Sequence, residues 1–313
     1  MATLLTFPGQ GAQRAGMLHA LPSHRAVTRT LEEASDVLGQ DILQLDDAEQ
    51  LGSTVAVQLC LLVAGVASAR HLLDDGTHAD GVAGLSIGAY AAAVVADTLP
   101  FGEAVRLVAL RGRLMEDAFP TGYGMTAILG LERSPLESIV DAVRTPDAPV
   151  YLANYNAETQ LVIAGSEAAM ASVAERAIAA GARSAQRVAI AVPSHCPLLD
   201  NAAASLAEAL STVTLRRPSL RYFSASAARE LRDPARIAND LAHNMARPVR
   251  WHETMLLARA CEMRLAVEMP PGSVLTRLCQ PLFPQAVSCA DMRTDSVRLI
   301  ISRERGPASY GDA

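Results

Sequence analysis

The sequence predicts an α/β fold: a mainly parallel sheet flanked by helices, with a small α+β unit inserted into the chain. Three observations lead there. Half of the 313 residues are hydrophobic but only 4% are aromatic, and Ala is abundant. That mixture favours Ala-rich helices packed on a sheet over an all-β sandwich. Next, the turn Gly84-Leu85-Ser86-Ile87-Gly88 stands between a short apolar run and a small-residue run, the strand-turn-helix setting of a G-x-S-x-G elbow. Last, the patterns between Met125 and Ile190 follow the order β-α-β-β-α-β. A chain of this length suits one large domain, or a main domain with an insert.

Taken in order, Leu4-Leu5-Thr6-Phe7 reads as a first buried strand stopped by Pro8-Gly9, followed by the loop Gly9-Gln10-Gly11-Ala12-Gln13. A dinucleotide fingerprint would need Gly at the sixth position, where Arg14 stands, and an acidic residue after a second strand. Ser53 to Arg70 is helical. Its apolar stretch, Val55 to Ala69, is interrupted by Gln58 and short for a membrane span, so it reads as a buried helix. His78 to Ala83 climbs into a strand, Ala89 to Ala96 forms a close-packed helix, and Phe101 to Asp117 is helical before a break at Pro120-Thr121-Gly122-Tyr123-Gly124.

The next stretch has strands at Met125–Leu129, Val150–Tyr155, Gln160–Ala164 and Ala185–Ile190, with helices at Pro135–Val143 and Glu167–Ala180. This order is that of a ferredoxin-like unit. The expected division is therefore a hydrolase-like core from residues 1–123 and 191–313 and a ferredoxin-like small domain at 124–190. Helices at Pro197–Leu210, Ile237–Asn244 and Trp251–Ala260 and strands at Ser219–Ala225 and Leu265–Met269 follow, with a frayed tail from Glu304 onward.

A net charge of −6 gives no broad electrostatic reason to bind nucleic acid or an anionic membrane. Arg greatly outnumbers Lys, which suits bidentate recognition of carboxylate or phosphate. Five Cys without a C-x-x-C read as reduced thiols, and Met1-Ala2-Thr3 shows no basic n-region, so a cytoplasmic protein is expected. Metal-ligand spacing is missing among the seven His: His252-Glu253 begins an H-E-x-x-H pattern, but Leu256 occupies the second His position.

The chemistry centres on Ser86 and on His195 in Pro193-Ser194-His195. A Ser hydroxyl is too weak an acid to attack an acyl carbon unaided, and His195 is the base that would activate it. The elbow also offers Ile87 N–H to an oxyanion. Cys196 is a rival nucleophile only if Ser86 is ignored. Several acidic residues between Ser86 and His195 leave open what orients the imidazole. On its residues alone Arg111, near Arg113 and Asp117, reads as a solvated helix face, and the Gly9–Gly11 loop reads equally as an ordinary turn or as an oxyanion-donor loop. A serine hydrolase would use the same elbow, yet no HGGG-type oxyanion segment is present. A docking module would keep the elbow passively.

Six segments together resemble the malonyl-CoA:acyl-carrier-protein transacylases and related polyketide acyltransferase domains. They are Phe7 to Gln13, Gly84 to Gly88, Arg111-Gly112, Asn154-Tyr155-Asn156, Val192 to Cys196 and Pro248-Val249-Arg250-Trp251, and they run in family order over nearly the whole chain. Leu85, Ala89 and Arg250 depart from the fatty-acid-synthesis pattern. Gly84 to Tyr90 and Glu268-Met269-Pro270-Pro271-Gly272 look instead like the epsilon subunit of bacterial malonate decarboxylase.

The resemblance implies a ping-pong transfer of malonyl from malonyl-CoA to an acyl-carrier-protein thiol through Ser86. It also implies a Ser-His dyad in which a backbone carbonyl at Arg250 orients His195, and a second oxyanion donor in Gln10 N–H. Arg111 would read the malonyl carboxylate, with Gln58 supporting the site from behind. CoA enters as co-substrate with no metal or redox cofactor, and the expected partners are a carrier protein and other malonate decarboxylase subunits. The alternative role is fatty-acid or polyketide synthesis.

Overall fold

The computed structural model describes residues 2–119 and 121–305. The elements are β1 (Ala2–Phe7), α1 (Arg25–Leu38), α2 (Thr54–Leu73), β2 (Gly81–Gly84), α3 (Gly88–Val95), α4 (Phe101–Ala118), β3 (Tyr123–Leu129), α5 (Arg133–Val143), β4 (Val150–Ala157) and β5 (Gln160–Ser166). They continue with α6 (Glu167–Ala179), β6 (Ser184–Arg187), α7 (Asp200–Ser211), β7 (Arg221–Ser224), β8 (Arg229–Leu231), α8 (Pro234–His243), α9 (Trp251–Ala260), β9 (Met263–Glu268), α10 (Val274–Cys279), β10 (Val287–Ser288) and α11 (Thr294–Arg305). The break expected at Pro120 and the tail beyond Arg305 lie outside the described residues. Glu304 and Arg305 themselves continue α11 rather than fray.

The larger sheet has the order β10-β9-β1-β2-β7-β8, parallel throughout except for the antiparallel edge strand β8. β1 is paired on both sides and buried from Thr3 to Phe7, which is why it reads as a continuous apolar run instead of an alternating one. α2, α3 and α4 pack into the main core beside it. By length and composition α2 could cross a membrane, yet 83% of its apolar window is buried inside the protein. Ser53 Oγ caps its first turn by accepting from Val55 N–H, and the same hydroxyl donates to Glu116 of α4.

The smaller sheet has the order β4-β5-β3-β6 and every neighbouring pair is antiparallel. With α5 and α6 it keeps the β-α-β-β-α-β order that the sequence predicts. Its last strand is shorter than expected, ending at Arg187. Residues 188–196 are thereby left irregular, free to cross to the larger sheet and carry His195 there. The ladder between the sheets is continued at one point, where Tyr155 N–H donates to Val249 O at 2.8 Å and Val249 N–H to Ala153 O at 2.8 Å.

Candidate active site

The elbow forms where β2 ends. A β-carbon on Gly84 would collide with the backbone of Gly88 and Ala89, and one on Gly88 with the carbonyl of Phe7, so both flanking positions accept only Gly. Ser86 sits between them at φ 56°, a left-handed conformation costing about 1–2 kcal/mol for a residue with a side chain. Gly88 N–H to Leu85 O and Ala89 N–H to Ser86 O, both 3.0 Å, lock the turn.

His195 is held with equal firmness. Its backbone is also left-handed, φ 65°, and its N–H donates to Met245 O at 2.6 Å. The ring's Nδ1 lies 2.7 Å from Asn244 O and 3.2 Å from Arg247 O, while Nε2 lies 2.8 Å from Ser86 Oγ. Carbonyls only accept, so Nδ1 carries the hydrogen and Nε2 turns its lone pair to the Ser86 hydroxyl. Burial, reinforced by the Arg111 charge, pushes the imidazole down to about 4, and the two carbonyls offset only part of this. At neutral pH the ring is therefore unprotonated, with its free lone pair aimed at the Ser86 hydroxyl.

Arg111, which the resemblance implies and the residues alone do not, joins them. α4's pattern reads it as solvent-facing, yet it is 0% exposed. Gly112 explains the difference: a β-carbon there would stand 2.7 Å from Val55 Cα, so α4 and α2 approach closely and cover its neighbour. One guanidinium nitrogen, Nη1, donates to Gln58 Oε1 at 2.6 Å; the other, Nη2, donates to Ser86 Oγ at 3.1 Å and Asn244 Oδ1 at 3.2 Å. Nε is buried without a partner, and Arg111 forms no ion pair among the described residues. Desolvation lowers its pKa from 12.5 to about 10, which leaves the charge in place at neutral pH. Gln58 thus reaches the site only through Arg111.

One expectation is corrected. Arg250 does not orient His195: its carbonyl accepts from Thr254 N–H at 3.0 Å as α9 begins, and its side chain pairs with Glu253. The acceptors come from the 3-10 turn after α8, at Asn244, and from Arg247 beyond it. Asn244 was missing from the sequence reading altogether. Besides its carbonyl, its amide donates to the Ser86 backbone O at 3.3 Å while its oxygen accepts from Arg111, so one residue touches the His195 and Arg111 side chains and the backbone of Ser86. A backbone acceptor leaves no residue-type signal, although an Asn two residues before Ala246-Arg247-Pro248 marks a turn.

Cys196 is no rival nucleophile, because burial pushes its thiol up to about 12. Gln10 and Ile87, the two candidate oxyanion donors, both line a cleft of about 240 Å³, and neither N–H has a partner among the described residues. A β-carbon on Gly9 would stand 2.8 Å from Leu85 O, which places the Gln10 loop directly against the elbow. The opposite wall comes from the small sheet, where Met125 and Ala127 of β3 and Asn154 and Asn156 of β4 alternate inward. No group of three or more His, Cys, Asp or Glu among the described residues is placed to hold a metal.

Residues 5–299 match the acyl transferase domain model. The chain belongs to the acyl transferase family. A malonyl CoA-acyl carrier protein transacylase of Haemophilus influenzae is 36% identical over 299 residues, spanning 92% of this chain and 95% of that relative. The crystal structure of FabD from Acinetobacter baumannii superposes with a TM-score of 0.90 at 35% identity, covering 96% of this chain and 98% of that one. A type II PKS acyl-carrier protein in complex with its malonyl-transacylase contains a chain similar at TM-score 0.89 and 34% identity, with coverage of 98% and 100%. His195 and Arg111 each stand within hydrogen-bond reach of Ser86 Oγ.

Proposed function

We propose that this chain transfers a malonyl group from malonyl-CoA to an acyl-carrier-protein thiol by way of an ester on Ser86. The observation that carries this reading is Arg111: a fully buried guanidinium with no carboxylate partner among the described residues, 3.1 Å from the nucleophile. A substrate carboxylate completes that ion pair, and the planar fork suits it bidentately. The activity of the transacylase relatives supports the same substrate.

Ser86 Oγ attacks the thioester carbonyl as its proton passes to His195 Nε2. The oxyanion lies between Gln10 N–H and Ile87 N–H, donors worth about 3 kcal/mol each. Collapse breaks the C–S bond, and the imidazolium returns the proton to the CoA sulfur. The carrier thiol then gives its proton to Nε2 and attacks the Ser86 ester; as the C–O bond breaks, the imidazolium returns the proton to Ser86 Oγ. Asn154 Oδ1, buried on the cleft wall without a partner among the described residues, accepts an amide N–H of the thioester arm. In this reading the unit at 124–190 is ferredoxin-like and inserted into a hydrolase-like core, and the cleft between the two sheets receives the arm.

A carrier of fatty-acid or polyketide synthesis is favoured over malonate decarboxylase, because the relatives and the carrier complex are those of malonyl transacylases. Intact-protein mass after brief exposure to malonyl-CoA tests the mechanism. One malonyl adduct is expected, absent in Ser86→Ala and discharged by carrier. Rapid CoA release that ignores the carrier means hydrolysis and overturns the proposal.

A further inference from the structure

The loop that brings Gln10 to the cleft is a single tight turn. Gly9 O accepts from Ala12 N–H at 3.3 Å, and φ is positive at Gly11, 104°, but not at Gln10. Closure across four residues with positive φ at the third alone marks a type II β-turn, and Gly is the residue that fits there. One end of the turn is anchored, since Gly9 packs on Leu85 O of the elbow. The tip is not: a β-carbon on Gly11 would meet nothing within 4 Å. Gln10 N–H has no partner among the described residues, so its direction depends on what holds the rest of the turn.

Gln13 provides that hold. Its Oε1 accepts from Gly11 N–H at 2.6 Å, a much shorter bond than the 3.3 Å contact that closes the turn. Gly takes either sign of φ at little cost, so the Gln10-Gly11 peptide unit can turn over unless its N–H is answered on one side. Gln13 answers it on one side only, because an N–H needs an oxygen and the Gln13 amide has a single one. Gln10, Gly11 and Ala12 line the cleft, whereas Gln13 is half-buried outside its lining. It therefore touches the turn and not the reacting atoms.

Resting on the Ser86 acyl-transfer reading above, we infer that Gln13 is a positioning residue that, through Gly11 N–H, keeps Gln10 N–H aimed at the developing oxyanion. A preorganised donor counts most when the charge has formed, so a slack turn lowers the rate of acylation more than the affinity for the thioester. A surface amide satisfied by chance would leave the rate untouched.

Two variants test this. Gln13→Leu removes the acceptor at similar size, and Gln13→Glu keeps an oxygen that accepts from the same N–H. Gln13→Leu is expected to slow single-turnover acylation by malonyl-CoA about tenfold, with KM changed less than about twofold. Gln13→Glu is expected to stay within about threefold of the parent, and neither variant should move the urea midpoint. The nitrophenolate burst from p-nitrophenyl acetate passes through the same oxyanion without malonyl or CoA, and should slow by a similar factor in Gln13→Leu. A parent-like acylation rate in Gln13→Leu overturns the inference, as does a loss that Gln13→Glu fails to restore. A raised KM at constant rate, or a fall in the urea midpoint that accompanies the lost activity, also overturns it. If malonyl-CoA never acylates Ser86 while the p-nitrophenyl acetate burst still depends on Gln13, the proposed malonyl transfer fails and the positioning role stands.

Discussion

Replacing Arg111 with Met separates function from stability. The guanidinium is buried against neutral acceptors only, and its pKa is lowered from 12.5 to about 10, equivalent to about 3 kcal/mol against the charged form in the folded protein. Met removes that penalty and fills similar volume, but it strands Gln58 Oε1 and Asn244 Oδ1, at about 1–2 kcal/mol each. The two effects nearly cancel, so urea denaturation should place Arg111→Met within about 1 kcal/mol of the parent. Activity behaves differently. Losing a desolvated partner of the malonyl carboxylate costs about 2–5 kcal/mol, a fall of roughly 30- to 5,000-fold in kcat/KM for malonyl-CoA. Acetyl-CoA, which offers no carboxylate, should lose nothing by the change and gain relative to malonyl-CoA. The paired measurements are denaturant titration and kcat/KM for both thioesters. A stability loss above about 3 kcal/mol, or equal losses for malonyl and acetyl, refutes the assignment of Arg111 as the acyl-group reader.

Three further outcomes follow from the geometry. His195 is lowered from 6.5 to about 4, so between these values the unfolded chain binds the additional proton; stability is full above pH 6.5 and falls by about 3 kcal/mol toward pH 4. Denaturation of His195→Leu across that range should show a flatter profile than the parent. Arg250→Ala should change kcat by less than about threefold, since its carbonyl caps α9 and its side chain pairs on the surface with Glu253; a hundredfold loss in steady-state assays would restore it to the site. Gly112→Val should cost about 1–3 kcal/mol in denaturation and depress malonyl transfer, because its side chain must displace Val55 and so pull Arg111 from Gln58.

Much of this was legible in the chain. The elbow Ser, its His partner and the β-α-β-β-α-β run each carry local chemistry: paired Gly around Ser, a His after Pro-Ser, and a change of apolar period. Arg111 was ambiguous because its burial depends on α2 meeting α4 at Gly112, a tertiary approach invisible to a helical wheel. The Arg250 expectation failed and Asn244 was missed for one reason: a carbonyl's role depends on where the backbone turns, and any residue type supplies a carbonyl. α1 was overlooked despite a readable signal, the Val27, Leu31, Ala34 and Leu38 spacing of an amphipathic helix. β8 and β10 span three and two residues, too short for any period to register.

In the proposed malonyl transfer the substrate's own charge also enters the acid-base chemistry. Arg111 is the charged group that, after burial, does most to hold His195 down, and it also donates to Ser86 Oγ in the free protein. A malonyl carboxylate on Arg111 neutralises that field and draws Nη2 away from the hydroxyl, so the imidazole becomes more basic and the nucleophile less encumbered in the same event. The sign is fixed: His195 must titrate at higher pH in the malonyl complex than in the free enzyme. The acidic limb of single-turnover acylation at saturating malonyl-CoA, which reports the complex, should therefore lie above the limb of kcat/KM, which reports the free enzyme and starts near 4. With an acyl-CoA that lacks the carboxylate the two limbs should coincide. Coincident limbs for malonyl-CoA itself would mean that its charge never reaches Arg111.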